Sequence, residues 1–332
     1  MKRLLVIILL GAALWSGYWY VAARGARTGF EAWFEARRAE GWKADYTGLE
    51  IRGFPNRVDS TFDMPVLADP ETGLAWQARF FQILALSYKP GHIIAVWSNS
   101  QSFSTPSAKY DIASENMRAS IILAPKAKLP LKRANLVAEA MAITTNDSIT
   151  TFDGVQLAIS RREEAPQEYR LAVNVDGLMP PLPPGITLQT GGTLPRQLDA
   201  LRADLSVEFS RPWDLQALEE SRPQPTQIKL KLAEAKWGGL ELAMAGTLRI
   251  DDAGRPTGRM TIKARNWRDI IVLARQFGWL PESWLGHVEQ ALSLAAQLSG
   301  NATTLDLPLD FKDGEMALGP IPLGPGPLIR LR

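Results

Sequence analysis

The chain has 332 residues, with 37 Lys and Arg against 35 Asp and Glu for a net charge of +2, and it contains no cysteine. A balance so close to neutral gives no field to draw in nucleic acid, and the scattered Lys and Arg form no basic patch with interleaved aromatics. The lack of cysteine excludes disulfides, thiolate metal sites and cysteine nucleophiles.

Met1-Lys2-Arg3 opens the chain, and an uncharged run from Leu4 to Ala23 follows, ended by Arg24. About 20 residues at helical rise cross a hydrocarbon core of roughly 30 Å. Two readings compete for this segment. A cleaved signal peptide fits Lys2, Arg3 and a cut after Val21-Ala22-Ala23, but its apolar stretch is ordinarily about 7–15 residues. A retained signal anchor fits the whole length, from Leu4, Ile8 and Leu14 to the aromatics Trp15, Tyr18, Trp19 and Tyr20, which suit an interfacial belt. The retained anchor is the stronger reading. Lys2 and Arg3 favour a cytoplasmic N-terminus, while Arg24 and Arg27 weaken that bias. The expected location is the inner (cytoplasmic) membrane, crossed once, with the bulk of the chain in the periplasm.

Phe30, Trp33, Phe34 and Arg37 recur at helical spacing and predict a second helix over 28–41, capped by Thr28 and ended by Gly41. It reads equally as a stalk lying on the membrane or as a helix packed on the sheet that follows. From Trp42 to about Val175 the period becomes two. Leu49/Ile51, Val155/Leu157/Ile159 and Tyr169/Leu171/Val173/Val175 alternate, with apolar runs at 83–86, 93–97 and 121–123. Turn markers such as Pro90-Gly91, Asn99-Ser100, Asn146-Asp147 and Asp153-Gly154 separate them and predict an antiparallel meander. Leu178-Met-Pro-Pro-Leu-Pro-Pro-Gly185 suits neither helix nor central strand and reads as a hinge or a stiff surface crossing.

Beyond it, Leu205/Val207/Phe209, Ile228/Leu230/Leu232, Leu240/Leu242/Met244 and Leu305/Leu307/Leu309/Phe311 each predict a strand with one apolar face. Asp251-Asp252-Ala253-Gly254 reads as a hairpin turn. Helices are predicted near 267–278 and 281–298, with a further short one near 213–221. The expected fold class is therefore mainly β (α+β). An N-terminal transmembrane helix leads into curved antiparallel β-sheet in two lobes, 24–177 and 186–332, joined by 178–185, with a few packed helices.

These helices are too few to cover two lobes of one-sided sheet. Either the sheets close on each other, or a curved sheet leaves an apolar trough open to a hydrophobic ligand. Leu205, Val207, Phe209, Ile228, Leu230, Leu232, Leu240, Leu242 and Met244 are the candidate lining of such a trough, and beside a bilayer its natural ligand is a lipid chain.

Catalytic signals are sparse. His92 and His287 are the two histidines, and nothing pairs them in sequence. No metal-ligand spacing, Gly-rich phosphate loop or Gly-x-Ser-x-Gly elbow occurs, so no catalytic, metal or cofactor residue is assigned. Asn301-Ala302-Thr303 fits a glycosylation acceptor only as a short pattern.

Several pieces together resemble a known family: Gly53-Phe54-Pro55-Asn56-Arg57, Leu74-Ala75-Trp76, Tyr88-Lys89-Pro90, Trp237-Gly238-Gly239-Leu240 with Gly246-Thr247-Leu248, and Gly319-Pro320-Ile321-Pro322-Leu323. They are similar to the bacterial family catalogued as domain of unknown function 2125, over most of residues 30–330. That family offers no catalytic residues to carry over. The hairpin of 240–264 and the Asp313-Gly314-Glu315 turn are more distantly similar to AsmA-like envelope proteins, whose implied role is lipid handling between membranes. The expectation is a non-catalytic membrane-anchored protein that binds or hands on a lipid or other hydrophobic envelope component. A structural or scaffolding protein of the envelope, with protein partners, is the alternative, and an envelope hydrolase is the third.

Overall fold

The structure is a computed structural model that describes residues 1–181, 194–219, 221–278, 289–290, 292–294, 296–297, 303–319 and 321–331. The chain is mainly β, with one long apolar N-terminal helix. It divides into two units, 1–149 and 150–332, a boundary that precedes the proline-rich segment expected to be the hinge. Residues 182–185 of that segment, 281–288 of the expected 281–298 helix with His287, and Asn301-Ala302 lie outside the described residues.

The anchor and the expected 28–41 helix are one element, α1 (Lys2–Ala39). No proline interrupts 24–29, and Arg24, Ala26 and Arg27 are good helix formers, so nothing there stops propagation and Thr28 caps nothing. Glycine in a helix costs about 1 kcal/mol relative to alanine, and Gly25 and Gly29 are carried through. Gly41, at φ +90, follows the C-terminus as expected.

The first unit carries β1 (Lys43–Asp45), β2 (Gly48–Arg52), β3 (Arg57–Asp63), β4 (Val66–Asp69), β5 (Leu74–Ala78), β6 (Phe80–Leu86), β7 (Lys89–Trp97), β8 (Ser100–Ser104), β9 (Lys109–Ala113), β10 (Arg118–Leu123) and β11 (Leu131–Thr144). Their pairing shows a simpler plan. β2, β3, β6, β7, β10 and the first half of β11 form one antiparallel ladder in that order. β1, β4, β5, β8, β9 and the end of β11 form another. The sheet is thus six long strands in a meander, and each is interrupted at the same level. The interruptions fall at Tyr46-Thr47, Met64-Pro65, Arg79, Ser98-Asn99, 114–117 and Ala140, with Met64 and Ala140 at φ +49 and +45. Hydrogen bonds such as Met64 N–H to Arg79 O (2.9 Å) and Ser114 N–H to Asn99 O (2.9 Å) stitch these points into one continuous crease. A residue inserted at a fixed level in most strands bends the whole sheet there, as a bulge bends a single strand.

The second unit is a meander in strict chain order: β12 (Ile149–Arg161), β13 (Glu168–Asp176), β14 (Ala200–Phe209), β15 (Pro225–Trp237), β16 (Leu240–Ile250), β17 (Pro256–Arg265), β18 (Thr304–Lys312), β19 (Glu315–Leu318) and β20 (Ile321–Pro325). Helix α2 (Leu215–Glu219) lies between β14 and β15, and α3 (Trp267–Gln276) follows β17. The Asp251–Gly254 turn forms as expected, with Asp251 Oδ1 accepting from Arg255 N–H at 2.8 Å. Gly246 (φ +153) and Gly258 (φ +144) sit inside β16 and β17, where a Cβ would lie 2.3 Å from Arg259 O and from Thr247 O respectively. Their missing side chains let the two strands cross tightly around a core of Leu230, Leu248, Ile250, Met260, Leu309 and Phe311.

Candidate functional site

On the face of the first sheet that meets α1, direct cross-strand neighbours form two rows. Above the turn between β2 and β3 runs Leu49–Phe62–Phe81–Trp97. Across the crease runs Ala44–Leu67–Trp76–Phe103–Tyr110. From Phe62 to Leu67 and from Trp76 to Phe81 the interval is five residues. Unbroken period-two alternation would put the members of each pair on opposite faces, and the residue inserted at the crease brings both inward. Trp76 and Phe81 meet edge to face at 5.7 Å, and Phe81 and Trp97 lie 5.2 Å apart.

Helix α1 closes this face. Phe34 and Phe62 are buried beside Ala44, with Phe30, Tyr46 and Leu49 packed around them. Phe30 and Phe62 rings are 5.1 Å apart, and Phe34 and Tyr46 rings 4.7 Å. The filling is incomplete. Between α1 and the two rows lies a cavity of about 780 Å³, lined by Ala26, Gly29, Phe30, Trp33 and Phe34 of the helix and by Phe62, Pro65, Leu67, Trp76, Phe81, Ile83, Trp97 and Phe103 of the sheet. That volume lies within the roughly 300–1,000 Å³ of ligand pockets. Every lining residue is apolar. A Cβ on Gly29 would meet nothing within 4 Å, so the smallest residue of the helical wall faces open space. Trp76, Phe81, Trp97 and Phe103 are only half-buried. At roughly 25 cal/mol per Å², leaving such side chains wet forgoes stabilisation that another apolar surface would recover. The polar groups near the floor are already paired: Trp76 Nε1–H donates to Gln101 Oε1 at 2.8 Å, and Gln101 is itself buried.

The same helix is fastened to the sheet at its lower end. Trp15 Nε1–H donates to Pro55 O (2.9 Å), Trp19 Nε1–H to Arg57 O (2.6 Å) and Tyr18 O–H to Ser87 O (2.6 Å). Arg27 continues the seam to Leu49 O at 3.0 Å. Three of the aromatics expected to form a lipid belt therefore spend their donors on the protein's own turns. Leu4, Ile8, Leu14 and Tyr20 are exposed along the helix.

The chemistry available in the cavity is apolar binding. Among the described residues, no group of three or more His, Asp or Glu side chains converges. His92 lies on β7 with Nε2 3.1 Å from Ser120 Oγ on β10. Residues 19–327 match the bacterial family described as "Uncharacterized protein conserved in bacteria (DUF2125)". The chain belongs to that family. No match was found among curated proteins or among solved structures.

In this DUF2125 member the trough residues expected from sequence are dispersed. Leu205, Ile228, Leu230 and Met244 do come together in the core beneath β16 and β17. Val207 and Phe209 are buried beside Tyr169, whose ring is 5.8 Å from Phe209 and whose hydroxyl accepts from Trp213 N–H at 3.0 Å. Burial pushes the Tyr169 phenol above its ordinary pKa. Leu240 packs with Trp237 and Leu273 of α3. Leu242, on the same face, is 41% exposed. Leu232 is not on that face. Leu205 pairs with Leu230 but Asp204 pairs with Leu232, so a bulge at Lys231 inverts the alternation.

Leu232 instead shares the polar face with charged neighbours. There Arg170 Nε and Nη2 grip Asp204 at 2.9 and 2.8 Å, and this holds the Asp204 carboxyl below its usual range. The hydrogen bond from Lys236, then that from Arg202, lowers Glu234 against the opposing effect of its burial. The sequence reading missed the cavity of the first unit. The signal that pointed there was aromatic density, with Trp76, Phe80, Phe81, Trp97 and Phe103 within one stretch.

Proposed function

We propose that this protein is a membrane-anchored, non-catalytic lipid-binding protein whose first unit takes an acyl chain or similar apolar envelope component into the cavity between α1 and the creased sheet. The observation that carries this reading is the cavity lined by apolar residues and built against the helix that is long and apolar enough to cross a membrane. Its wall begins at Ala26, three residues past the uncharged run, or about 4–5 Å higher along the helix. A chain leaving the bilayer beside α1 meets that wall first. Lys2 and Arg3 favour export of the body, against the weaker opposing bias of Arg24 and Arg27, and this supports a cavity on the periplasmic side of the inner membrane.

The test is photocrosslinking with a phospholipid that carries a diazirine near the end of its acyl chain, using the full chain in nanodiscs. Crosslinks at Trp76, Phe81, Trp97 or Phe103 themselves support the proposal, whereas crosslinks at the 87–89 turn do not count, because Tyr18 of the uncharged run reaches Ser87 O. Crosslinks confined to residues 1–23 would be ordinary lipid around the anchor and would sink it. Gly29→Leu fills the open space above Gly29 and should cut the sheet crosslinks several-fold while the helix gains about 1 kcal/mol in propensity.

A further inference from the structure

The uncharged run Leu4–Ala23 is twenty residues long. At about 1.5 Å per residue it matches a hydrocarbon core of roughly 30 Å with no length to spare. Yet the turns at the lower end of the first sheet are bonded to Trp15, Tyr18 and Trp19. Trp15 and Trp19 lie eight and four residues before Ala23, or roughly 12 and 6 Å deeper along the helix. Helical side chains lean toward the N-terminus, which takes the bonded carbonyls deeper still. If α1 spans the bilayer, these turns cannot stand clear of it.

Their chemistry suits that depth. A backbone carbonyl without a donor is costly in hydrocarbon, and Pro55, Arg57 and Ser87 O each receive an indole or phenol hydrogen. Between these capped carbonyls, Phe54 and Tyr88 project outward at 57% and 55% exposure. Phe54 is braced edge to face on Trp19 at 5.5 Å. The charge at this end of the sheet is also one-sided. Arg52, Arg57, Lys89, Lys126 and Arg133 stand at this end, where Arg52 pairs with Glu50 and Arg57 with Asp59. The turns at the opposite end carry Asp69, Glu71 and Asp147 against Lys109. Anionic headgroups attract juxtamembrane basic residues.

We propose that the turns at 53–57 and 87–89 form a wedge that enters the interface of an anionic bilayer, with Phe54 and Tyr88 as the inserted side chains. The inference rests on α1 being the membrane span and not on the cavity holding lipid.

Because the chain has no cysteine, single cysteines give clean reporters. Phe54→Cys, Tyr88→Cys, the far-end control Glu71→Cys and the anchor control Leu10→Cys are each labelled with an environment-sensitive dye. The full chain is then reconstituted in nanodiscs of phosphatidylcholine with or without phosphatidylglycerol. Asn56→Cys serves as a second rim position should loss of the Phe54–Trp19 contact disturb folding. The wedge predicts that labels at 54, 56 and 88 are quenched by lipid-borne nitroxide. It also predicts that they are shielded from iodide about threefold or more relative to 71, with greater shielding in the anionic discs.

Iodide access at 54, 56 and 88 equal to that at 71, with Leu10 shielded, overturns the wedge and leaves the anchor standing. Access at Leu10 itself overturns the anchor and the wedge with it. Equal shielding in neutral and anionic discs overturns the part assigned to the basic residues.

Discussion

The two units use the same material differently. Both are antiparallel meanders with one apolar face. In the second, Gly246 and Gly258 let strands close on their own side chains, and Tyr169, Phe209 and Trp213 plug the end of β14. In the first, a crease brings two aromatic rows inward and a helix lies over them, leaving about 780 Å³ unfilled. Strand number does not decide whether a one-sided sheet makes a core or a container. The placement of the inserted residues does.

The largest effect that would break this comparison is at the crossing strands. Gly258→Val puts a side chain against Thr247 O. It should unfold the second unit or cost more than about 4 kcal/mol, read by denaturant titration. Next comes a pair on α1. Phe34 is 6% exposed and Trp33 45% exposed, and both touch the cavity. Phe34→Ala should cost about 3–5 kcal/mol. Trp33→Ala should cost well under half of that and lower lipid crosslinking instead.

Within the second unit, Leu230→Ala should lose about 2–5 kcal/mol and Leu232→Ala under about 1 kcal/mol, because the bulge separates them. Similar losses at both would disprove the inverted register. The smallest effect is electrostatic. The folded-state pKa values of Asp204 and Glu234 are depressed, so their contribution is fully present above the ordinary carboxylate range. It is lost as the pH falls from about 4 toward the folded values. Arg170→Gln should shrink that acid-side loss, which a thermal melt series between about pH 3 and 6 measures.

Much of this architecture was legible in the residues. Alternation at 49–51, 155–159, 169–175 and 205–209 located strands because a half-buried strand must repeat every two residues. The Asp251–Gly254 turn was legible for the same local reason. The crease was not. Met64, Arg79 and Ala140 look in sequence like ordinary pauses between strands, and only their alignment across six strands makes a fold line. The Leu230–Leu232 bulge was hidden too, since Ile228, Leu230 and Leu232 alternate without a flaw and the inversion is imposed by the partner strand.

Helix continuity was masked by Thr28, which read as the cap of a second helix, whereas Gly25 and Gly29 are carried by the packing around Phe30 and Phe34. The cavity combined two of these failures, the crease and the continuous helix. Its rows come from separate hairpins, and register between hairpins is set by pairing that no single segment encodes.

The clamp between α1 and the turns has a mechanical consequence. A lone helix answers a bilayer of the wrong thickness by tilting. This helix is tied to Pro55, Arg57, Ser87 and Leu49, so it tilts only together with the sheet it carries. With α1 spanning a bilayer as proposed, hydrophobic mismatch would be converted into orientation of the first unit, and a thicker or thinner membrane would re-aim the mouth of the cavity instead of merely leaning the helix.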